Sequence, residues 1–363
     1  MKILLLAGEE SGVHYAGKIA EALLARRPDA EIRGYADYGF RTADLAVFGI
    51  WAVLRRIFFF LRVKRTMVRA IDTWRPDVVC TIDYPGMNLK LAAHAKNRGI
   101  KAVHVVCPQV WAWHRGRIPK IERALDALCC FFPFEPMLFR PGLATFVGHP
   151  LVQEFGRQAT PEAREKGLVA LLPGSRLGEI EKHLPTLLDA VAPLKGVRVV
   201  IPAANGRARA AIERIVARRT SSLPAGQAIG GLVVQAGGAR ELLRRADVAA
   251  VASGTATLEA ALARCPTVLV YKVSALLAAF LRRAITGVKH VGLVNVIAEK
   301  AGLECPMPEL LQDDFTADST RRRLESWLTD PAARGLTVAK LETVLGKLEN
   351  VGDSYARIAE FLV

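Results

Sequence analysis

The sequence predicts an α/β fold of two doubly wound, Rossmann-like halves facing a cleft. Three observations lead there. Short continuous runs of Val, Ile, Leu and Ala recur along the chain, as strands of a parallel sheet buried on both faces require. Longer amphipathic stretches separate these runs, which is the rhythm of βαβ units. The rhythm breaks at His149-Pro150 and Thr160-Pro161 and then restarts.

In order, the first half places strands at Ile3–Ala7, Val78–Ile82, Ala102–Cys107, Ala127–Phe132 and Thr145–Val147, with helices such as Gly12–Arg26 and Asn88–Arg98 between them. The second half places strands at Leu168–Leu172, Val197–Ile201, Leu232–Gln235, Val248–Ala252 and Thr267–Val270. Its helices are Glu179–Ala192, Arg207–Arg218, Ala239–Arg244 and Thr255–Ala263. The expected domains are 1–155 and 156–344. Thr316–Val363 reads as helical, and its end, 345–363, is expected to pack back on the first half. Ligands of open α/β sheets bind at the carboxyl ends of the strands, so the chemistry is expected in the loops that follow them.

The 363 residues are 51% hydrophobic, which excludes a disordered or collagen-like chain. Fifty basic residues against 35 acidic ones leave a net charge of +15, which favours a polyanionic partner: nucleic acid, an anionic membrane or a phosphorylated substrate. No nucleic-acid motif accompanies the charge. The six cysteines include no C-x-x-C pair, so neither a disulfide framework nor a zinc site is expected. No signal peptide precedes the first strand, and the apolar stretch Val47–Leu61, broken by Arg55 and Arg56, falls short of a membrane span. A cytoplasmic protein that touches a membrane is expected.

Several loops hold residues suited to chemistry. Ala7-Gly8-Glu9-Glu10-Ser11-Gly12 joins a strand to a helix through small residues; it suits close ligand approach or a plain turn. Pro173-Gly174-Ser175-Arg176 brings backbone N–H groups, a hydroxyl and a guanidinium to one strand end, as a phosphate site requires, unless it is an ordinary surface turn. Ser253-Gly254-Thr255-Ala256-Thr257 repeats the device before a helix, where Ser253 or Thr255 is also expected to act as the cap. Glu259, one turn on, is placed to accept from ribose hydroxyls. Asp83 ends a first-half strand and is a candidate general base, or else a helix cap or ion-pair partner. Trp111 and Trp113 suit either the core or a sugar or acyl platform, and His149 reads as structural. At helical spacing Arg55, Arg62, Arg65 and Arg69 share a face with Trp51 and Phe58, while Val53, Ile57, Phe60 and Val68 fall opposite, towards the core. The basic, aromatic face suits an anionic membrane surface or a solvated helix.

Together these stretches resemble the lipid-A-disaccharide synthase family. The matching segments are AGEESG (7–12), IDYPGMN (82–88), VWAWHRGRI (110–118), FFPFE (131–135), FVGHPL (146–151), LLPGSR (171–176), ADVAAVASGTATLEAAL (246–262), PTVLVYK (266–272) and PELLQ (308–312), in family order over almost the whole chain. The resemblance implies a glycosyltransferase of the B architecture, metal-independent and without a cofactor. It implies inverting transfer of 2,3-diacylglucosamine from UDP onto 2,3-diacylglucosamine 1-phosphate, giving a β-1,6-linked disaccharide 1-phosphate and UDP. The first domain would bind acceptor and lipid at the cytoplasmic face of a Gram-negative inner membrane, and the second the UDP-sugar. Asp83 and Arg176 match catalytic positions. Ser253, Thr255, Thr257 and Glu259 match the family's nucleotide-site motif and Asn295 and Gln312 its later polar positions. Ser11, Gly12, Asn88, Trp111, Trp113, Ser175 and Gly254 lie in the matching segments and are expected to bind substrate, and Trp51, Arg55, Phe58, Arg62 and Arg65, on the basic aromatic helix face, are expected at the membrane. A homodimer counts among the expected partners. The chain departs from the family pattern at Val13, His14 and Gly86. A UDP-sugar 2-epimerase and a non-catalytic membrane binder are the other readings.

Overall fold

The computed structural model describes residues 1–45, 56–155, 164–222, 229–349 and 352–363. Two compact units result, Met1–Glu154 with Leu348–Val363, and Phe155–Lys347. Each is built on a six-stranded, wholly parallel sheet.

In the first unit β1 (Lys2–Ala7), β2 (Glu31–Arg33), β3 (Val78–Ile82), β4 (Lys101–Val105), β5 (Ala127–Cys130) and β6 (Ala144–Phe146) lie in the order β2-β1-β3-β4-β5-β6. The helices are α1 (Glu10–Arg26), α2 (Ile57–Trp74), α3 (Pro85–Asn97), α4 (Ile118–Ala124) and α5 (Pro150–Phe155). Alternate residues of β1 face two different helical layers. Ile3 and Leu5 pack with Ile19 and Leu23 of α1, whereas Leu4 and Leu6 pack with Val63, Met67 and Ile71 of α2 and Leu91 of α3. This two-sided burial explains why β1 reads as an unbroken apolar run.

In the second unit β7 (Glu165–Leu172), β8 (Arg198–Ala203), β9 (Val233–Ala236), β10 (Ala246–Ala252), β11 (Thr267–Tyr271) and β12 (Glu309–Leu311) lie in the order β12-β11-β10-β7-β8-β9. Around them run α6 (Leu177–Val191), α7 (Gly206–Thr220), α8 (Ala239–Arg245), α9 (Thr255–Leu262), α10 (Ala275–Ala284), α11 (Leu293–Lys300), α12 (Ala317–Thr329) and α13 (Pro331–Leu345). Val169 and Leu171 of β7 meet Ile180, Leu184 and Leu187 of α6, and Leu324 and Trp327 of α12 join that core.

The closing helix α14 (Ser354–Glu360) belongs to the first unit, where Tyr355, Ile358 and Leu362 are buried with Ile19 and Leu23. Helices α12 and α13 stay with the second unit. The edge strands β2 and β12 lack a signature in the sequence, because three half-exposed residues make no apolar run. Ile57 differs from its expected place: it is exposed, while Phe60, Val63, Met67, Ala70 and Ile71 form the buried stripe of α2.

Candidate functional site

In each sheet the chain leaves one central strand in one direction and returns on its other side. Loops at such a switch point diverge and leave a crevice at the carboxyl edge. In the second unit the switch lies between β7 and β10, and a cavity of about 340 Å³ opens there. Gly174, Ser175 and Arg176 line it from the β7 loop, and Ser253, Gly254 and Thr255 from the β10 loop.

Local geometry shapes these loops. Gly174 has φ 113°, and a Cβ there would lie 2.5 Å from Glu179 Oε2. Gly254, the N-cap of α9, takes φ 153° and ψ −164°, a region that excludes side chains. The expected capping of α9 by Ser253 or Thr255 is therefore not made. The helix has no side-chain cap; Ser253 Oγ turns towards Val291 O (3.4 Å), and Thr257 Oγ1, buried, donates to Gly254 O (2.8 Å). First-turn residues Thr255 and Ala256 thus face the cavity, where the helix dipole favours an anion. Arg176 reaches the same cavity, with its Nη1 2.9 Å from Glu179 Oε1.

A buried histidine fixes the floor. Lys272 N donates to His183 Nε2 (3.0 Å), so Nε2 is the acceptor, and Nδ1–H must donate to Pro173 O (2.9 Å). His183 thereby ties the end of β7 to the end of β11, directly behind the Gly174 turn. Nothing local in the sequence marks it: it is one histidine in a helix, seven residues after Arg176.

Other sequence candidates stand away from the cavity lining. Glu259 Oε1 accepts from Arg240 Nε at 3.1 Å. Asn295 is buried and spends its amide on Met307 O (2.7 Å), Glu309 Oε1 (2.8 Å) and Met307 N (3.1 Å), which anchors the approach to β12. Gln312 pairs its amide with both Val273 N and Val273 O at 3.2 Å.

In the first unit the switch lies between β1 and β3. Asp83 and Tyr84, at the end of β3, both adopt left-handed φ values, 48° and 51°. Asn88 holds this turn from below: its Nδ2 donates to Leu6 O (3.3 Å), Ile82 O (3.0 Å) and Asp83 O (2.9 Å), and its Oδ1 accepts from Tyr35 OH (2.8 Å). Fully buried and fully bonded, Asn88 is a positioning residue. Asp83 Oδ1 accepts from Tyr84 N (2.8 Å) and does not cap α3. Burial pushes its carboxyl above the usual range, against the opposing Tyr84 amide. Ser11 is exposed in the first turn of α1, and Gly12 is buried beside Ala7 and Ile82. Trp111 is buried and donates from Nε1 to Glu135 Oε1 (3.0 Å), whereas Trp113 is exposed, its ring 4.8 Å from that of His114 and tilted to it by 50°. His14 Nε2 lies 2.6 Å from Glu154 Oε1, which also accepts from Tyr355 OH.

The outer face of α2 exposes Phe58 (83%) and Leu61 beside Arg62, Lys64, Arg65 and Arg69. Trp51 and Arg55 lie outside the described residues. Among the described residues, no helix is long and apolar enough to cross a membrane.

A family model described as lipid-A-disaccharide synthetase matches residues 3–352. Lipid-A-disaccharide synthase of Chromohalobacter salexigens is 34% identical over 374 residues, covering 96% of this chain and 93% of the relative. That of Anaeromyxobacter sp. is 35% identical over 382 residues, covering 99% and 96%. Among solved structures, spinosyn forosaminyltransferase has a TM-score of 0.61 at 16% identity, covering 100% of this chain and 98% of the other. The UDP-GlcNAc 2-epimerase of Methanocaldococcus jannaschii, in complex with UDP-GlcNAc and UDP, has a TM-score of 0.54 at 13% identity, with both chains covered in full. These two establish the fold alone, a pair of Rossmann-like units of the kind found in B-type glycosyltransferases. Sequence identity over nearly the full length decides the rest: the chain is a glycosyltransferase and belongs to the lipid-A-disaccharide synthase family.

Proposed function

We propose that the chain transfers 2,3-diacylglucosamine from UDP to 2,3-diacylglucosamine 1-phosphate with inversion. The acceptor 6-hydroxyl oxygen attacks the anomeric carbon, the bond from that carbon to the UDP oxygen breaks, and UDP leaves with the electron pair. The hydroxyl proton passes to a base. Asp83 is that base: partial burial raises its proton affinity, which suits a carboxylate that must accept a proton. The β7 and β10 loops hold the leaving diphosphate, with N–H groups of Ser175 and Thr255 and the Arg176 guanidinium as donors. Arg176 exchanges its Glu179 contact for a phosphate oxygen when UDP binds. Asn88 acts behind the Asp83 turn, Thr257 behind the β10 loop, and Asn295 and Gln312 brace the segments before β12 and after β11, while the lipid-bearing substrates are met at an anionic membrane surface by the exposed face of α2.

The cavity at the β7/β10 switch carries this reading, because it gathers glycine turns, hydroxyls and a guanidinium at two strand ends. Incubation with UDP-diacylglucosamine and the 1-phosphate acceptor should release UDP and disaccharide in equal amounts. UDP binding without disaccharide formation by folded protein would overturn the acceptor assignment. Interconversion of the sugar at C2 would instead identify an epimerase.

A further inference from the structure

Three side chains that the transfer reaction does not use meet inside the first unit. Cys107 follows β4, Cys130 ends β5, and Glu135 lies in the turn beyond it. One sulfur from each thiol and one carboxylate oxygen all lie within 4.8 Å of one another, and all three residues are buried. Atoms so spaced leave a point no more than about 2.8 Å from all three, near the zinc–sulfur (~2.3 Å) and zinc–carboxylate (~2.0–2.2 Å) bond lengths. We propose that Cys107, Cys130 and Glu135 form a buried site for one thiophilic divalent ion of the zinc type.

The donor chemistry is matched to such an ion. Two sulfurs select a soft metal over magnesium or calcium, and the carboxylate completes a charge of −3 against +2. The scaffold is rigid. Cys107 follows β4 and Cys130 ends the neighbouring β5, in a register that pairs Val105 with Cys129. The carboxylate is already oriented by outer donors, Trp111 Nε1 to Oε1 and Phe132 N to Oε2, both at 3.0 Å. Ligands held by such outer bonds are the usual arrangement around a structural metal. The Cys107 thiol donates to Pro108 O at 3.3 Å. With no ion, the contact with the Cys130 thiol and burial raise Cys107, the contact with Cys107 lowers Cys130 but burial and the Glu135 charge together raise it, and burial pushes Glu135 up to about 8, so all three hold their protons at neutral pH. An ion that enters releases these protons, and it fastens the aromatic loop of Trp111 and Trp113 to β5. The three ligands are too scattered in sequence for any spacing rule to find them.

The test uses the full-length chain, produced with added zinc and, separately, refolded with cadmium under a thiol-free reductant. Metal per chain is measured by elemental analysis, and thiolate ligation by the ultraviolet cadmium–thiolate band. One ion per chain is expected to survive desalting. Cys107→Ser and Cys130→Ser should lose both signals, Glu135→Gln should weaken affinity at least tenfold, and Cys305→Ser should leave both intact. Substoichiometric metal in both preparations, or a band that survives both serine substitutions, overturns the site. Should the serine variants not fold, unsubstituted protein is pulsed with an alkylating agent in mild denaturant. Protection of Cys107 and Cys130 by cadmium supports the site, and equal labelling with and without it overturns the proposal.

Discussion

Asp83 occupies a backbone conformation that L-residues avoid, next to Tyr84 in the same region, with a carboxyl that burial disfavours as an anion. Such costs collect where geometry matters more than stability. Asp83→Asn should lower turnover at least ~100-fold and leave UDP affinity unchanged by calorimetry. The raised affinity for the proton also fixes a sign. The folded state holds this proton to higher pH than the unfolded chain, so ionisation of Asp83 costs stability as pH rises through its folded value. The Asn variant should then melt no lower than the parent at neutral pH, and the acid limb of kcat/KM, placed above the ordinary carboxylate range, should vanish. His149 has the opposite sign. It is buried against Phe131 and Phe132, and burial lowers it from 6.5 to about 4. The unfolded chain takes the proton first, so stability is lost as pH falls from 6.5 towards 4, by roughly 3 kcal/mol at most. Melting curves should show a shallower acid decline in His149→Gln; an identical decline would remove His149 as the cause. At this scale the sequence makes the loop residues legible by position, since the Pro-Gly-Ser-Arg and Ser-Gly-Thr turns each follow a strand and line one cavity. It hides His183, whose value lies in joining two distant strand ends. It also blurs Asn88 and Asn295, whose motif positions fit a ligand contact while their amides are spent inside the fold.

Among the elements, α2 shows two faces, one exposed and one buried. Phe58 and Leu61 stand in solvent, while Val63 and Met67 are fully buried. Phe58→Ser with Leu61→Ser should cut binding to anionic vesicles by about tenfold or more and leave the melting temperature unchanged. Met67→Ala should do the reverse, costing ~2–4 kcal/mol in denaturant titrations with vesicle binding intact. Equal effects of the two would mean that the exposed face has no membrane role. The helical period foresees this division at Phe58 and Phe60 but misplaces Ile57, because a helix entered at Arg56 does not bury its first residue. Central strands are legible by their burial, and of the four edges the sequence marks β6 and β9 but not β2 and β12. Val78–Ile82 is buried along its whole length, whereas Glu31–Arg33 borrows its strand geometry from the backbone of β1.

For the whole molecule, the net charge of +15 makes any membrane contact depend on ionic strength, since exposed charges are screened within about 8 Å at physiological salt. The second unit is continuous in sequence, and the first is not. Removal of 348–363 should therefore destabilise the first unit. Tyr355, Ile358 and Leu362 are buried among Ile19 and Leu23, and each contributes roughly 2 kcal/mol by burial. Hydrogen exchange should show faster opening of α1 and β1 and little change in β7 and β10; uniform change would contradict the division. That division also orders events on the ribosome. The middle unit draws all its strands and helices from one continuous stretch, but the amino-terminal sheet must wait, with one flank of α1 uncovered, until residues 348–363 have been made. A stalled or prematurely released product would thus expose apolar surface in its oldest part, where chaperones and proteases would find it first.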